Sequence, residues 1–290
     1  MNVFERSWEV TKSTFSVMLK NKKMMWFAIA DAVLSVMVFI PAIFIGLMIG
    51  GIFQGNGATS FLVISLLLAY FLAYFFTVFF DVAVVYTAKR EFANKHATTG
   101  EIIRFTFTRM KAIIGWTLIN GTVGMVLKAA KGKSSQNSRG RGMATGLIAN
   151  LLGAAWSILT IFVIPSIVYE NKGPINAIKS SFHTVKKTWG ELIIRWFGLG
   201  IVESGVMTLG LIVFGLIGFI GYDLGSIYIL AGAIMLFVIY AIVVAIVFAI
   251  ANQVFDTALY EYVHKGKVPG SYKEETLKNA FRSENHNSFI

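Results

Sequence analysis

The sequence contains no cysteine, and only four of its 290 residues are proline. The absence of cysteine excludes disulfide bonds and thiolate metal sites. Charged residues are also scarce, at 14%, whereas hydrophobic residues make up 56% of the chain. Soluble globular domains do not have this balance, so the composition predicts an integral membrane protein.

Long apolar runs are what the sequence has in abundance. A hydrocarbon core about 30 Å thick is crossed by about 20 residues of helix. We therefore predict an all-α, polytopic integral membrane protein with about six transmembrane helices. The predicted spans cover residues 24–50, 59–88, 112–127, 143–169, 192–221 and 226–260. The third span is short and contains Asn120, so its complete crossing is left open.

The spans are predicted to form one helical membrane domain, residues 1–263, followed by a polar cytoplasmic tail at residues 264–290. Residues 128–142 are rich in Gly and Ser and contain five basic residues and no acid. Because Gly and Ser interrupt regular structure, this stretch is predicted to be an irregular loop.

A basic amphipathic helix is predicted after the fourth span, beyond the Gly173-Pro174 break. Its apolar stripe recurs every three or four residues, which is typical of a helix lying in the headgroup region. The stripe consists of Ile175, Ile178, Phe182, Val185 and Trp189. We expect Phe182 and Trp189 to insert among lipids while Lys186 and Lys187 meet anionic headgroups.

The same plan recurs along the chain. Residues 2–20 and 98–111 are also predicted interfacial helices, and the second starts with a Thr98 and Glu101 capping box. The tetrapeptide at 80–83 matches the one at 255–258 in its Phe-Asp-x-Ala pattern. We predict a threefold internal repeat of an interfacial helix followed by a two-span hairpin.

Two segments carry a resemblance to known families. Residues 156–191, with Pro165, Glu170 and the Gly173-Pro174 pair, resemble an uncharacterised family of prokaryotic multi-pass membrane proteins. Residues 254–270 are similar to the end of that family and, more remotely, to the membrane domain of some glycerophosphodiester phosphodiesterases. These motifs are structural, so the resemblance implies a shared membrane fold and does not imply phosphodiesterase activity.

Four acids fall inside the predicted spans, and they are Asp31, Asp81, Glu203 and Asp256. A charge in hydrocarbon costs at least about 2.5 kcal/mol, so each acid needs a partner. Their similar depth predicts an acidic layer near one membrane face. A cation or proton site is one interpretation, and pairing with Lys or Arg from the interfacial helices is the other. We favour the pairing, in which case neutralising an acid should be destabilising.

Signals of catalysis are absent from the sequence. The four histidines are scattered and form no HExxH pair, and no nucleophile elbow is present. We therefore predict no catalytic residues, no metal site and no cofactor, and we do not expect an enzyme. The net charge of +11 comes from residues beside span ends, where orientation and anionic lipid account for it. Nucleic acid is accordingly not an expected partner.

The predicted function is a structural or accessory role in the cell membrane, with anionic lipids as partners. A protein partner or a second copy of the chain is the other partner considered. The alternative function is a transporter or channel that uses the acidic layer. The positive-inside rule predicts that both termini are cytoplasmic, with residues 128–142 translocated despite their charge.

Overall fold

A computed structural model gives the fold and describes residues 3–52, 56–136, 141–187, 189–266, 269 and 272. Within those residues the chain forms ten helices and no strand, so the all-α prediction is confirmed. The helices are α1 Val3–Lys20, α2 Lys23–Ile52, α3 Asn56–Phe92, α4 Thr99–Thr108, α5 Met110–Gln136, α6 Arg141–Leu159, α7 Val163–Glu170, α8 Pro174–Lys187, α9 Trp189–Asp223 and α10 Ile227–Lys265.

Six stretches of the described chain are long and apolar enough to span a membrane. They are Lys23–Ile52, Thr59–Phe92, Met110–Lys131, Gly146–Glu170, Leu199–Asp223 and Ile227–Lys265. The six predicted spans are confirmed in number and approximate position. The third stretch, at about 1.5 Å per residue, is about 33 Å long, which is enough to cross the hydrocarbon.

A shorter helix precedes each pair of spans, in the predicted order. α1 comes before α2 and α3, α4 comes before α5 and α6, and α8 comes before α9 and α10. The capping box at α4 is only half formed. The Thr98 hydroxyl accepts a hydrogen bond from the Glu101 backbone nitrogen at 3.2 Å. The Glu101 carboxylate instead accepts from the Tyr86 hydroxyl at 3.0 Å and pairs with Arg90 at 3.1 Å.

The predicted irregular loop at residues 128–142 is wrong for most of its length. α5 continues to Gln136 and α6 begins at Arg141, while residues 137–140 lie outside the described part of the chain. Lys and Ala favour helix, and a helix already formed across the apolar span extends without a new nucleus. A glycine such as Gly132 inside that extension costs only about 1 kcal/mol.

The segment that follows α10 contacts α1 through a buried tyrosine. α10 ends at Lys265, and Gly266 follows with a φ of 65°, the usual left-handed helix stop. Tyr272 is only 5% exposed, and its hydroxyl lies 3.0 Å from the Thr14 hydroxyl. Burial raises the pKa of Tyr272 and outweighs the opposing effect of that hydrogen bond, so the phenol stays protonated at physiological pH.

The helices pack into two compact units. The first comprises residues 1–25, 91–95 and 188–290, and contains α1, α9 and α10. α9 and α10 form a hairpin in which the Tyr240 hydroxyl donates to the Val206 carbonyl at 2.5 Å. Its ring lies where a side chain at Gly210 would be, which lets the two helices approach closely. α1 packs on both helices of this hairpin.

The second unit comprises residues 26–90 and 96–187. Its core is apolar and is shared by α3, α5, α7 and α8. Central core residues are Val82, Ile113, Trp116, Ile167 and Ala177. α2 approaches α3 at Gly46, where a Cβ atom would lie 3.0 Å from the Leu62 Cα. Gly46 therefore acts as a small-residue packing position.

The fourth span is interrupted between α6 and α7, at residues 160–162. A break in a spanning helix leaves backbone groups without helical partners, and those groups must find other partners in the protein. Ser181 of α8 supplies both partners: its hydroxyl donates to the Leu159 carbonyl at 2.6 Å and accepts from the Phe162 amide at 3.1 Å. Pro165 falls in the first turn of α7, where its missing N–H is tolerated. One side chain thus closes the break and fixes α8 to it.

We expect Ser181→Ala to destabilise the protein by about 1–3 kcal/mol, because two backbone groups at the break lose their partner. Ser180→Ala is the matched control on the same helix, since Ser180 makes only 3.4 Å contacts with the Glu170 carboxylate. Thermal unfolding of both variants in one detergent measures the difference. Equal stability of the two variants would contradict this role for Ser181.

Candidate functional site

α8 buries a face made of small and hydroxyl-bearing residues. The buried residues are Ala177, Ser180, Ser181, Thr184 and Val185. Their spacing of three and four places them on one side of the helix, which packs on α5, α6 and α7. Small side chains allow this close approach, so the bulky and charged residues of α8 are directed outward.

The outward side of α8 carries three of the residues predicted to contact lipid, and that contact stays a prediction. Phe182 is 50% exposed, and Lys186, one turn further on, and Lys187 are exposed too. Val185 was expected in the exposed stripe, but it is 2% exposed and packs inside. Trp189 is the first residue of α9, and its side chain lies outside the described part of the chain. We call Phe182, Lys186 and Lys187 the α8 surface.

The four acids are divided between the two units. Asp31 on α2 and Asp81 on α3 belong to the second unit, whereas Glu203 on α9 and Asp256 on α10 belong to the first. Asp256 is 4% exposed, and Glu203 is half-buried.

Asp31 is held by a hydroxyl group. The Thr77 hydroxyl of α3 lies 3.1 Å from both oxygens of the Asp31 carboxylate, and the Ser35 side chain is a second hydrogen-bond partner. The contacts described for Asp31 are to hydroxyl groups, and the pairing with a Lys or Arg that the sequence suggests stays a prediction. Asp81 lies one turn beyond Thr77, on the same face of α3.

The basic residues that end α3 contact the protein itself. Lys89 donates to the Val168 carbonyl at 3.4 Å and lies 4.4 Å from the centre of the Tyr169 ring. Val168 belongs to the last turn of α7, where a cation is favoured by the helix dipole. Arg90 pairs with Glu101 as described above. These cations therefore stabilise the ends of neighbouring helices.

A polar cavity lies among α3, α5 and α6 in the second unit. It has a volume of about 440 Å³. Its polar and charged lining includes Tyr70, Tyr74, Asn120, Lys128, Lys131 and Asn150. We call this the polar cavity. Among its lining residues in the described chain there is no Asp or Glu.

A chain of hydrogen bonds forms one wall of the polar cavity. The Trp156 indole nitrogen can only donate, so the Asn120 side-chain oxygen accepts its proton, at 2.6 Å. That fixes the amide orientation, and the Asn120 nitrogen donates to the Tyr74 hydroxyl oxygen. The Tyr70 ring stacks on Tyr74 at 6.2 Å and lies 5.7 Å from the Lys128 ammonium.

The polar cavity was missed from the sequence, although one signal was present. Asn120 in an apolar span was interpreted as weakening the span prediction, when it marks a polar cluster. Intramembrane polar residues almost always face a partner or a cavity, and that rule applied to Asn120 as much as to the acids. Its partners on α3 and α6 could not be paired with it from spacing alone.

A metal centre was not predicted, and among the side chains that the structure describes no three His, Asp or Glu residues are grouped as metal ligands.

Ten described helices that supply six membrane-spanning stretches define a multi-pass, all-helical integral membrane protein. The chain belongs to a family of unknown function (DUF6159), whose profile matches residues 57–270. The expected membership of an uncharacterised family is confirmed by that match. No curated protein and no solved structure matches the chain.

We expect Asp31→Asn to leave stability unchanged or to raise it. The amide oxygen still accepts from Thr77, and a charge is removed from an apolar span. Thr77→Val is the matched variant, which keeps the shape but removes the donor, and it should cost about 1.5–3 kcal/mol. Thermal unfolding in one detergent, with and without sodium, measures both. A clear loss of stability in Asp31→Asn would show that the acid has a cationic partner after all.

Proposed function

We propose that this protein is a non-enzymatic membrane protein with a structural or accessory role, which holds anionic lipids at one face of the cell membrane. The observation that carries the proposal is the α8 surface, where half-exposed Phe182 lies one helical turn from Lys186. An apolar ring beside exposed cations is the arrangement by which interfacial helices bind anionic headgroups.

Two further properties of α8 support lipid contact. The helix contains no acidic residue, so its lysines are not neutralised from within it. Its buried face of small residues packs on neighbouring helices, and Ser181 forms hydrogen bonds on both sides of the break in the fourth span. Each Lys or Arg near an anionic membrane surface contributes about 1 kcal/mol of binding. A fixed helix presents that charge without an additional ordering penalty.

Partners other than lipid, and one remote relative, are also suggested by the residues. A protein partner or a second copy of the chain is the further candidate partner, and nucleic acid is not proposed. The remote similarity of residues 254–270 to the membrane domain of glycerophosphodiester phosphodiesterases belongs to the proposal as a likeness of fold. It brings no catalytic activity with it.

Transport is the second candidate function, and one observation favours it. Asp31 is bound by hydroxyl groups, which leaves its charge uncompensated by a described cation. Transporters also combine interrupted spans with polar sites inside the membrane, and the fourth span here is interrupted. A sodium-dependent stability shift that is present in the wild type and lost in Asp31→Asn would favour transport over the accessory role.

Orientation is the remaining part of the proposal. The N-terminal helix, the segment around α4, the α8 segment and the tail are all rich in Lys and Arg, and the positive-inside rule assigns them to the cytoplasm. The end of α5 and the start of α6 then face outward.

We expect Lys186→Gln with Lys187→Gln to reduce the anionic lipid that co-purifies with the full-length protein, because two cations leave the headgroup level. The loss should be about 2 kcal/mol in binding free energy. Lys265→Gln is the control, since that ammonium already pairs with Glu261 at 2.7 Å. Lipid content is measured by mass spectrometry of matched preparations. An equal effect of the control and the double variant would argue against lipid binding by α8.

We expect a cysteine introduced by Ser135→Cys to react with an impermeant reagent added outside intact cells. The chain has no native cysteine, so the label reports that position alone. Mass spectrometry of the purified protein measures the labelled fraction. Labelling only after lysis would reverse the proposed orientation.

A further inference from the structure

We propose that the polar cavity binds a phosphate group at its lysine end, which lies along α5 away from the start of α8. This second anion site is separate from the α8 surface and does not depend on it. The inference rests on three properties of the cavity: its depth, its charge and the direction of its hydrogen bonds.

The depth of the cavity follows from the course of α5. Pro174, at the start of α8, packs on Gly115 near the beginning of α5, where a Cβ atom would lie 3.5 Å from the proline Cδ. Lys128 and Lys131 follow 13 and 16 residues later by sequence number, which is about 20–24 Å along the helix axis. In a hydrocarbon core about 30 Å thick, these two lysines approach the far boundary, where lipid phosphates lie.

The charge of the cavity is of one sign. Lys128 and Lys131 line it, and its described lining includes no carboxylate. The remaining polar lining comes from hydroxyl and amide groups, among them Asn150 and Ser157 of α6. A neutral or cationic ligand would find no charged acceptor there, whereas an anion would find two ammonium groups.

The hydrogen bonds of the wall end in a donor. Trp156 donates to Asn120, and Asn120 donates to the Tyr74 oxygen. The hydroxyl proton of Tyr74 is therefore the one that remains for a ligand, and Tyr74 lines the cavity. Both hydrogen bonds point from Trp156, which can only donate, toward Tyr74. The free end of the network is therefore a donor, which suits a ligand that is rich in acceptor atoms. A phosphate group supplies several acceptor oxygens and a negative charge.

The cavity is large enough to admit a phosphate group. Its volume of about 440 Å³ is within the usual range for small-molecule sites, about 300–1,000 Å³. α5 has glycine where it borders Tyr70, and a Cβ atom at Gly124 would lie 3.3 Å from the Tyr70 hydroxyl. The absence of a side chain there lets the Tyr70 hydroxyl lie against α5. The phosphate could belong to a lipid headgroup or be free in solution, and the two sources share this chemistry.

The test uses the full-length protein in dodecyl maltoside, a detergent that contains no phosphate. One arm adds phosphatidylglycerol, a second arm adds inorganic phosphate, and sodium chloride at equal ionic strength is the reference. The unfolding midpoint is measured for the wild type, for Lys128→Gln with Lys131→Gln, for Lys186→Gln with Lys187→Gln, and for these substitutions combined. Lys128→Arg with Lys131→Arg tests whether charge is the determinant.

We expect one of the two phosphate sources to raise the midpoint of the wild type. The shift that remains in the α8 variant should require about thirtyfold more of that source once Lys128→Gln and Lys131→Gln are added, whereas the arginine variant should keep the full shift. A shift with phosphatidylglycerol identifies a lipid headgroup, and a shift with inorganic phosphate identifies a free anion. The inference is overturned if neither source shifts the wild type, if Lys128→Gln and Lys131→Gln leave the shift of the α8 variant unchanged, or if the arginine variant fails like the glutamine variant. Loss of the shift in the α8 variant alone would likewise overturn it, since the anion would then bind at α8.

Discussion

A backbone amide or carbonyl inside hydrocarbon has no water to bond, so every such group must find a partner within the protein. Continuous helices satisfy this requirement by themselves, but the fourth span does not, because it is interrupted at residues 160–162. Ser181 closes the gap by bonding one group on each side of it. This contact holds α8 against the fourth span, because Ser181 belongs to α8.

The same requirement organises the polar side chains of the spans. Asp31 is joined to Thr77, and Asn120 links Tyr74 to Trp156, so each polar group meets another across a helix boundary. Such contacts orient neighbouring spans, because van der Waals packing between apolar helices is otherwise weakly directional. They also create an interior surface that can meet a polar ligand. The polar cavity is therefore a consequence of how these helices recognise one another.

The hydrophobicity and the length of an apolar run are properties of that segment alone. The six spans and the three preceding helices could therefore be predicted from the sequence. The buried face of α8 could not, because its apolar stripe suggested Val185 for lipid while tertiary packing selected the small residues Ala177, Ser180 and Ser181. Composition likewise suggested a loop at residues 128–142, where the helix of the preceding span simply continues. The polar cavity requires residues from three helices, and the sequence contains no measure of which helices are neighbours.

The basic residues fall into two groups with different physical roles, and net charge alone does not separate them. Lys89 and Arg90 contact a helix C-terminus and a carboxylate, so much of their charge is used in stabilising the fold. Lys186 and Lys187 are exposed on α8, and Lys128 lines a cavity without carboxylates. Cations of the second group retain their attraction for an external anion. Because the second group includes lysines on α5 and at the end of α8, positive charge in the second unit is available to anions at two separate places.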